Sequence, residues 1–317
     1  MNRKLISLVL GALFLGLCFR VEAQQAAKIY RVGFLLTGAD NTSERQAVLR
    51  SLRELGYVDG QNIVVEKGDK AAELVRLKVD VIVVFGTSAA LAAKKATHTI
   101  PIVMTSSADP VGNRLIASLA RPGGNVTGLT SLSAELGGKR LEVLKEIAPR
   151  LSRVMIPAPA GSPTENFFIK ETELPARALK VQLIRFPVRG PEDYEEIFRV
   201  AAKERANGLY FRLPLALTPS TQRKQLADLA AKNHLPAMYE SGAFVEDGGL
   251  IGYGVDRNWR YQRAAVFVEK IFRGAKPADL PVEQPTKFEL FIKLKAAKQI
   301  GLTIPQKVLV RADKVIK

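Results

Sequence analysis

The stretch VDVIVVFGTSAALAAKKAT (residues 79–97) decides how the chain is read. A mainly apolar run from Val79 to Phe85 stops at Gly86, two small hydroxyl residues follow, and an alanine-rich helix begins. Apolar continuity of this length predicts a strand buried on both faces of a parallel sheet. The corner after it therefore presents Thr87, Ser88 and Ala89 at the start of a helix.

The same alternation runs outward in both directions. IYRVGFLL (29–36) and NIVVE (62–66) predict strands, with a helix over SERQAVLRSLRELGY between them; Ser43 is placed to cap it and Gly56 closes it. AAELVRL predicts a helix, and IPIVM (100–104) and NVTGLT (125–130) predict strands. A second series starts with the helix GGKRLEVLKEIAP and continues through RVMIP, TENFFIKETELPARAL, VQLIRF, EDYEEIFRVAAKE, GLYF, TQRKQLADLAAKN, LPAMY and GGLIGYG. Pro175 should kink or split its helix. Two successive series of this kind predict an α/β protein with two doubly wound lobes, whose facing carboxyl ends form a ligand cleft.

The ends and composition bound the function. Arg3 and Lys4 precede an uncharged run, Leu5 to Phe19, and VEA (21–23) is a small-residue exit: a signal peptide over 1–23, too short to span a membrane. Cys18 is the only cysteine and follows bulky Leu17, so the mature chain is expected to be free of disulfides and of a lipid anchor. The formal charge of +16 falls to +14 once that segment is removed. Its basic residues are scattered among acids, as in KRLEVLKEIAPR, which predicts a solvated basic surface rather than a nucleic-acid site.

Three readings compete for the Gly86 corner. A nucleophile elbow needs G-x-S-x-G, but Ala90 holds the second glycine position, and the only histidines are His98 and His234. Phosphate-binding loops need glycine patterns that do not follow any strand here, and no metal-ligand spacing exists. A binding lip remains, with helix N-terminal N–H groups and two hydroxyls suited to a carboxylate. Thr87 or Ser88 reads equally well as a plain helix cap.

RELGYVDGQNI, AAELVRLKVDVIVVFGTSAALAAKKAT, IPIVM followed by ADPVG, SLARPGGNVTGL, GKRLEVLKE and VEQPTKFELFIKLKAAKQIGLTIP resemble the periplasmic ABC-transporter substrate-binding proteins of the TrpX-like family. The resemblance runs from about Ile29 to Ile316. It implies a type I periplasmic-binding-protein fold: two Rossmann-like lobes joined by a three-crossing hinge, over 28–130 plus 254–282 and 131–253 plus 283–317. It implies a periplasmic, monomeric, non-enzymatic protein without a cofactor or metal, which closes around a small polar ligand, an amino acid or related carboxylate, and docks on an inner-membrane ABC permease. The ligand residues it implies are Thr87, Ser88, Ala89, Ser107, Asp109, Pro110, Thr127 and Gly128 from one lobe. Tyr239 and Glu240 come from the other, and Tyr253 and Asp256 from where the chain crosses back. Asp109 has an alternative as the cap of a helix near Val111, and Tyr239 as a core tyrosine.

The chain departs from the family in three places. Only KGDK separates NIVVE from AAELVRL, about fifteen residues fewer than in relatives. Pro159 in PAPAGSP replaces an asparagine, and Leu213-Pro214 replaces Asp-Pro. An amino-acid ligand would then need Glu240, Asp256 or Asp109 for its ammonium. Arg212 would favour a carboxylate if it turned inward, although a strand-end arginine usually faces solvent. The alternatives are a periplasmic sensor subunit for a membrane receptor, an exported α/β hydrolase using Ser88, and a degenerate relative that binds nothing.

Overall fold

The computed structural model describes residues 28–35, 42–132, 134–214 and 218–317; the expected signal peptide lies outside them. The first sheet comprises β1 (Tyr30–Leu35), β2 (Ile63–Gly68), β3 (Val81–Val84), β4 (Ile102–Met104) and β5 (Val126–Gly128), all parallel in the order β2-β1-β3-β4-β5. Helices α1 (Thr42–Glu54), α2 (Ala71–Arg76) and α3 (Thr87–Ala96) connect them.

The sequence logic of a doubly covered strand is plain in β3, where all four residues are buried. Val81 and Val83 join Phe34, Val48, Leu52, Phe267 and Val268 in one core. Ile82 and Val84 point the other way and join Leu74, Ala90, Ala93 and Met104. Small alanines let α3 lie close to the sheet.

The second sheet holds β6 (Arg153–Pro159), β7 (Gln182–Val188), β8 (Gly208–Phe211), β9 (Ala237–Tyr239), β10 (Ile251–Val255), β11 (Phe288–Lys293) and β12 (Lys314–Ile316). Its order is β12-β11-β10-β9-β8-β6-β7, and only the β10–β11 pair is antiparallel. One face packs on α4 (Gly137–Ile147) and α5 (Glu165–Ala178) through Leu141, Leu144, Phe168 and Tyr210. The other packs on α6 (Tyr194–Lys203) and α7 (Ser220–Lys232) through Ile197, Phe211, Leu226 and Tyr239. The short α8 (Gly242–Glu246) follows β9, and α10 (Leu294–Gln299) and α11 (Gln306–Leu309) precede β12.

Pro175 does not split its helix. Helix α5 runs on through it, because the proline sits one turn from the end and little of the ladder lies beyond it.

The chain crosses between the sheets three times: after β5, after β10 into α9 (Arg257–Phe272), and between Asp279 and Phe288. These crossings are tied side by side. Thr130 donates its N–H to the Glu283 carbonyl (2.9 Å), Glu283 returns one to Gly128 (2.9 Å), and Asp256 donates to Lys287 (3.0 Å). Helix α9 returns to the first sheet and packs on α1.

Candidate functional site

A cavity of about 200 Å³ opens between the carboxyl ends of the two sheets. The corner after β3 forms one lip. Gly86 adopts φ +91°, a left-handed-side conformation that glycine tolerates, and thereby turns the chain sharply from strand into α3. As the residue preceding the helix, Gly86 brings no side chain to cap it. The N–H groups of Thr87, Ser88 and Ala89 thus begin the helix beside the cavity, where its dipole favours negative charge.

The expected cap by Thr87 or Ser88 is absent. Thr87 Oγ1 is instead 3.1 Å from Ser107 Oγ and accepts the Ala108 N–H (3.1 Å). It braces the segment after β4 while Ser88 stays open on the lip. Thr87, Ser88, Ala89, Ser107 and Glu240 all line the cavity.

The remaining seven residues implied by the resemblance are not on its wall, and each has a structural occupation. Asp109 Oδ1 accepts the Gly112 N–H (2.8 Å), closing a turn where a helix was expected near Val111. Pro110 is buried beneath it, its carbonyl accepting from Leu115 N–H at 2.8 Å. Thr127 Oγ1 donates to the Leu280 carbonyl (2.8 Å). Gly128 lies against β4 so closely that a Cβ would fall 2.2 Å from the Met104 carbonyl oxygen. Tyr239 is fully buried, stacked between Phe211 (5.2 Å) and Phe244 (5.1 Å), and burial pushes its phenol well above the usual range. Tyr253 packs on Phe288, and Asp256 Oδ1 caps α9 by accepting the Trp259 N–H (3.0 Å).

Three charged residues that sequence reasoning passed over or placed in solvent define the electrostatics. Arg140, from α4, is 2% exposed. Its Nε donates to the Tyr253 carbonyl (2.7 Å), and its Nη1 donates to Tyr210 Oη (2.8 Å) and Glu240 Oε1 (3.2 Å). The Tyr210 hydroxyl also donates to Glu240 (3.0 Å). Desolvation opposes charge on Arg140, but Tyr210 and Glu240 outweigh it, so its pKa is raised. Glu240 is therefore committed to the framework.

Arg212 turns inward rather than to solvent. It is 8% exposed, its Nη1 donates to Glu165 Oε2 (2.7 Å), and its guanidinium lies 3.7 Å from the Phe168 ring. The salt bridge and the aromatic face offset the desolvation that usually keeps such a residue outside. Its Nε is buried with no hydrogen-bond partner among the described residues. On the opposite wall Glu44, from α1, is 3% exposed; one oxygen accepts from Ser43 Oγ (2.8 Å) and the other, Oε1, is buried without a partner among the described residues. Ser43 thus lies inside α1 instead of capping it. Arg260, from α9, completes this wall.

Neither His98 nor His234 lines the cavity, and both are exposed, so Ser88 has no imidazole base beside it. Among the described residues no cluster of metal-ligating side chains occurs, and no helix is long and apolar enough to cross a membrane.

Comparison with known proteins agrees with this architecture. A tyrosine-binding protein of Clostridioides difficile is 24% identical over 274 residues, covering 81% of this chain and 76% of its own. The crystal structure of a conserved domain protein from Vibrio cholerae superposes with a TM-score of 0.83 at 27% identity, over 91% of this chain and 100% of that one. An ABC domain from Streptococcus pneumoniae in complex with L-Trp gives 0.80 at 23% identity, over 90% and 99%. A ligand-free, open substrate-binding protein with adhesive properties from Clostridium difficile gives 0.65 at 21%, over 91% and 100%. The family model described as ABC transporter substrate binding protein matches residues 34–316, and the chain belongs to that family.

Proposed function

We propose that this protein is the periplasmic, monomeric solute-binding component of an ABC importer, and that it captures a small zwitterionic or carboxylate solute between its lobes. The lobes would be 28–130 with 254–282, and 131–253 with 283–317. The observation that carries this reading is a single cavity walled by both sheets, with a helix N-terminus on one side and an inward-turned arginine on the other. A ligand touching both walls stabilises the arrangement in which they face each other and shifts the population toward it. The permease then distinguishes loaded from empty protein. One relative is a tyrosine-binding protein and another is in complex with L-Trp; both ligands are α-amino acids, which favours that class.

The test is thermal unfolding of the chain from Gln24 onward in the presence of amino acids and small carboxylates. A ligand at 100 times its Kd adds about 2.7 kcal/mol, which raises Tm by a few degrees. A cooperative transition that no amino acid or carboxylate moves would refute the reading.

A further inference from the structure

We propose that the solute carries an amino group, and that the carboxylate of Glu44 receives it and makes that group a requirement for binding. This rests on the solute-binding reading above and names its substrate class.

Among the described residues the acids lining the cavity are Glu44 and Glu240. Glu240 is already answered. Its Oε1 accepts from Arg140 Nη1 (3.2 Å) and Tyr210 Oη (3.0 Å), and Arg212 Nε lies 3.9 Å away. Arg212 in turn is paired with Glu165 at 2.7 Å. The second wall thus has its charges matched within itself, and Leu213 beside them adds apolar surface. Asp109 and Asp256, the other acids open to an ammonium on sequence grounds, are held off the wall in a turn and a helix cap.

Glu44 is different. It is 3% exposed, its Oε2 accepts from the adjacent Ser43 Oγ (2.8 Å), and its Oε1 is buried with no hydrogen-bond partner among the described residues. A carboxylate withdrawn from water is costly unless a cation or several donors meet it, and one hydroxyl contact supplies neither. Arg260 shares this wall, but its guanidinium lies 6.0 Å from the Tyr261 ring and donates no hydrogen bond to Glu44 Oε1. An ammonium is the complement that oxygen lacks, a compact charge with three N–H donors. The start of α3 stands on the same wall and favours an anion. A zwitterion therefore finds partners for both its charges on one wall, and the self-paired second wall closes over the remainder.

Calorimetric titration of the mature chain tests this with amino acids and their deamino counterparts. The pairs are L-tyrosine and 3-(4-hydroxyphenyl)propionate, L-tryptophan and indole-3-propionate, L-leucine and 4-methylpentanoate, and L-glutamate and glutarate. The amino acid that binds should do so at least about 30-fold tighter than its deamino counterpart, the loss expected when a buried charge goes unpaired. Glu44→Gln should remove that preference by weakening the amino acid while sparing the counterpart. A merely structural role for Glu44 would weaken both alike, and that result would overturn the proposal. Should Glu44→Gln fail to fold, the paired series on the unaltered chain decides the matter without a variant. A deamino compound binding as tightly as its amino acid would overturn the proposal while leaving the solute-binding reading intact. Absence of binding by every compound in the series would remove both.

Discussion

Arg140 Nη1 lies 3.2 Å from Glu240 Oε1, beneath the second wall of the cleft. This pair decides what the wall can do. Glu240 is partly exposed to the cavity, yet its charge is answered from behind by a guanidinium that solvent does not reach. The tie extends through Tyr210 on β8 and the Tyr253 carbonyl on β10, so one arginine on α4 locks two strands and the segment after a third.

Replacing Arg140 with glutamine should therefore destabilise the fold strongly. The Tyr253 carbonyl would lose its donor, and Glu240 its nearest counter-charge, keeping only the Tyr210 hydroxyl and the more distant Arg212 Nε at 3.9 Å. Breaking a buried pair from one side costs about 3–5 kcal/mol. Urea unfolding should show a lower midpoint with an unchanged slope. A midpoint within error of the parent would mean that water replaces the guanidinium freely.

The hydroxyls of the first lip should separate into structure and binding. Thr87→Val removes the contacts to Ser107 and Ala108 in a buried position, at a cost of about 1–3 kcal/mol in stability. Ser88→Ala touches no such contact, so melting of the unliganded protein should stay within about 0.5 kcal/mol. Its ligand affinity should fall several-fold if the hydroxyl meets the solute. Equal loss of stability in both variants would show that the two residues do not divide the work this way.

Much of this lip was legible in the sequence, because a parallel strand followed by glycine and a helix places its first residues by local geometry alone. Thr87, Ser88 and Ala89 are fixed that way, whereas Ser107 was reached only through the family resemblance. The charged wall was not legible. Arg140 and Glu44 sit on helices whose mixed charges look like solvated faces, and only the tertiary meeting of α4 with β8 and β9 makes Arg140 internal. Arg212 was misjudged for the same reason: Phe168 and Glu165 that receive it come from an earlier helix. Tyr239 reads alike as cleft or core residue, and its stacking between Phe211 and Phe244 depends on neighbours from β8 and α8. Asp109, Thr127 and Asp256 were drawn in by resemblance, while their hydrogen bonds belong to a turn, a crossing and a helix cap.

Two glycine-to-alanine changes should differ although both glycines have positive φ. Gly56 (φ +88°) has no atom within 4 Å of an added Cβ, so alanine there costs only the backbone strain, about 1 kcal/mol. Gly128 (φ +122°) would place that carbon 2.2 Å from the Met104 carbonyl oxygen, and the β4–β5 pairing must open to accept it. Gly128→Ala should lose upwards of about 3 kcal/mol and lower Tm by several degrees more than Gly56→Ala. Equal shifts would contradict the tight approach of these strands.

Glu289 lies on β11 beside the crossing from β10 into α9, and its Oε1 accepts the Arg257 N–H (2.9 Å). Desolvation raises its pKa above the ordinary 4.5, Asp256 and Asp313 add to the rise, and the Arg257 hydrogen bond and charge only partly oppose it. A carboxyl with a raised folded pKa binds more protons folded than unfolded. Stability must then fall as pH rises from about 4.5 through that raised value, and the deficit persists at neutral pH. Glu289→Gln retains an oxygen for the Arg257 N–H and removes the charge. It should be more stable than the parent at pH 7, by on the order of 0.5 kcal/mol given the partial exposure, with the advantage vanishing by pH 4. Urea midpoints measured across that range check it. Parallel curves for parent and variant would show that Glu289 carries no proton linkage to folding, and that solvent screens it at the crossing.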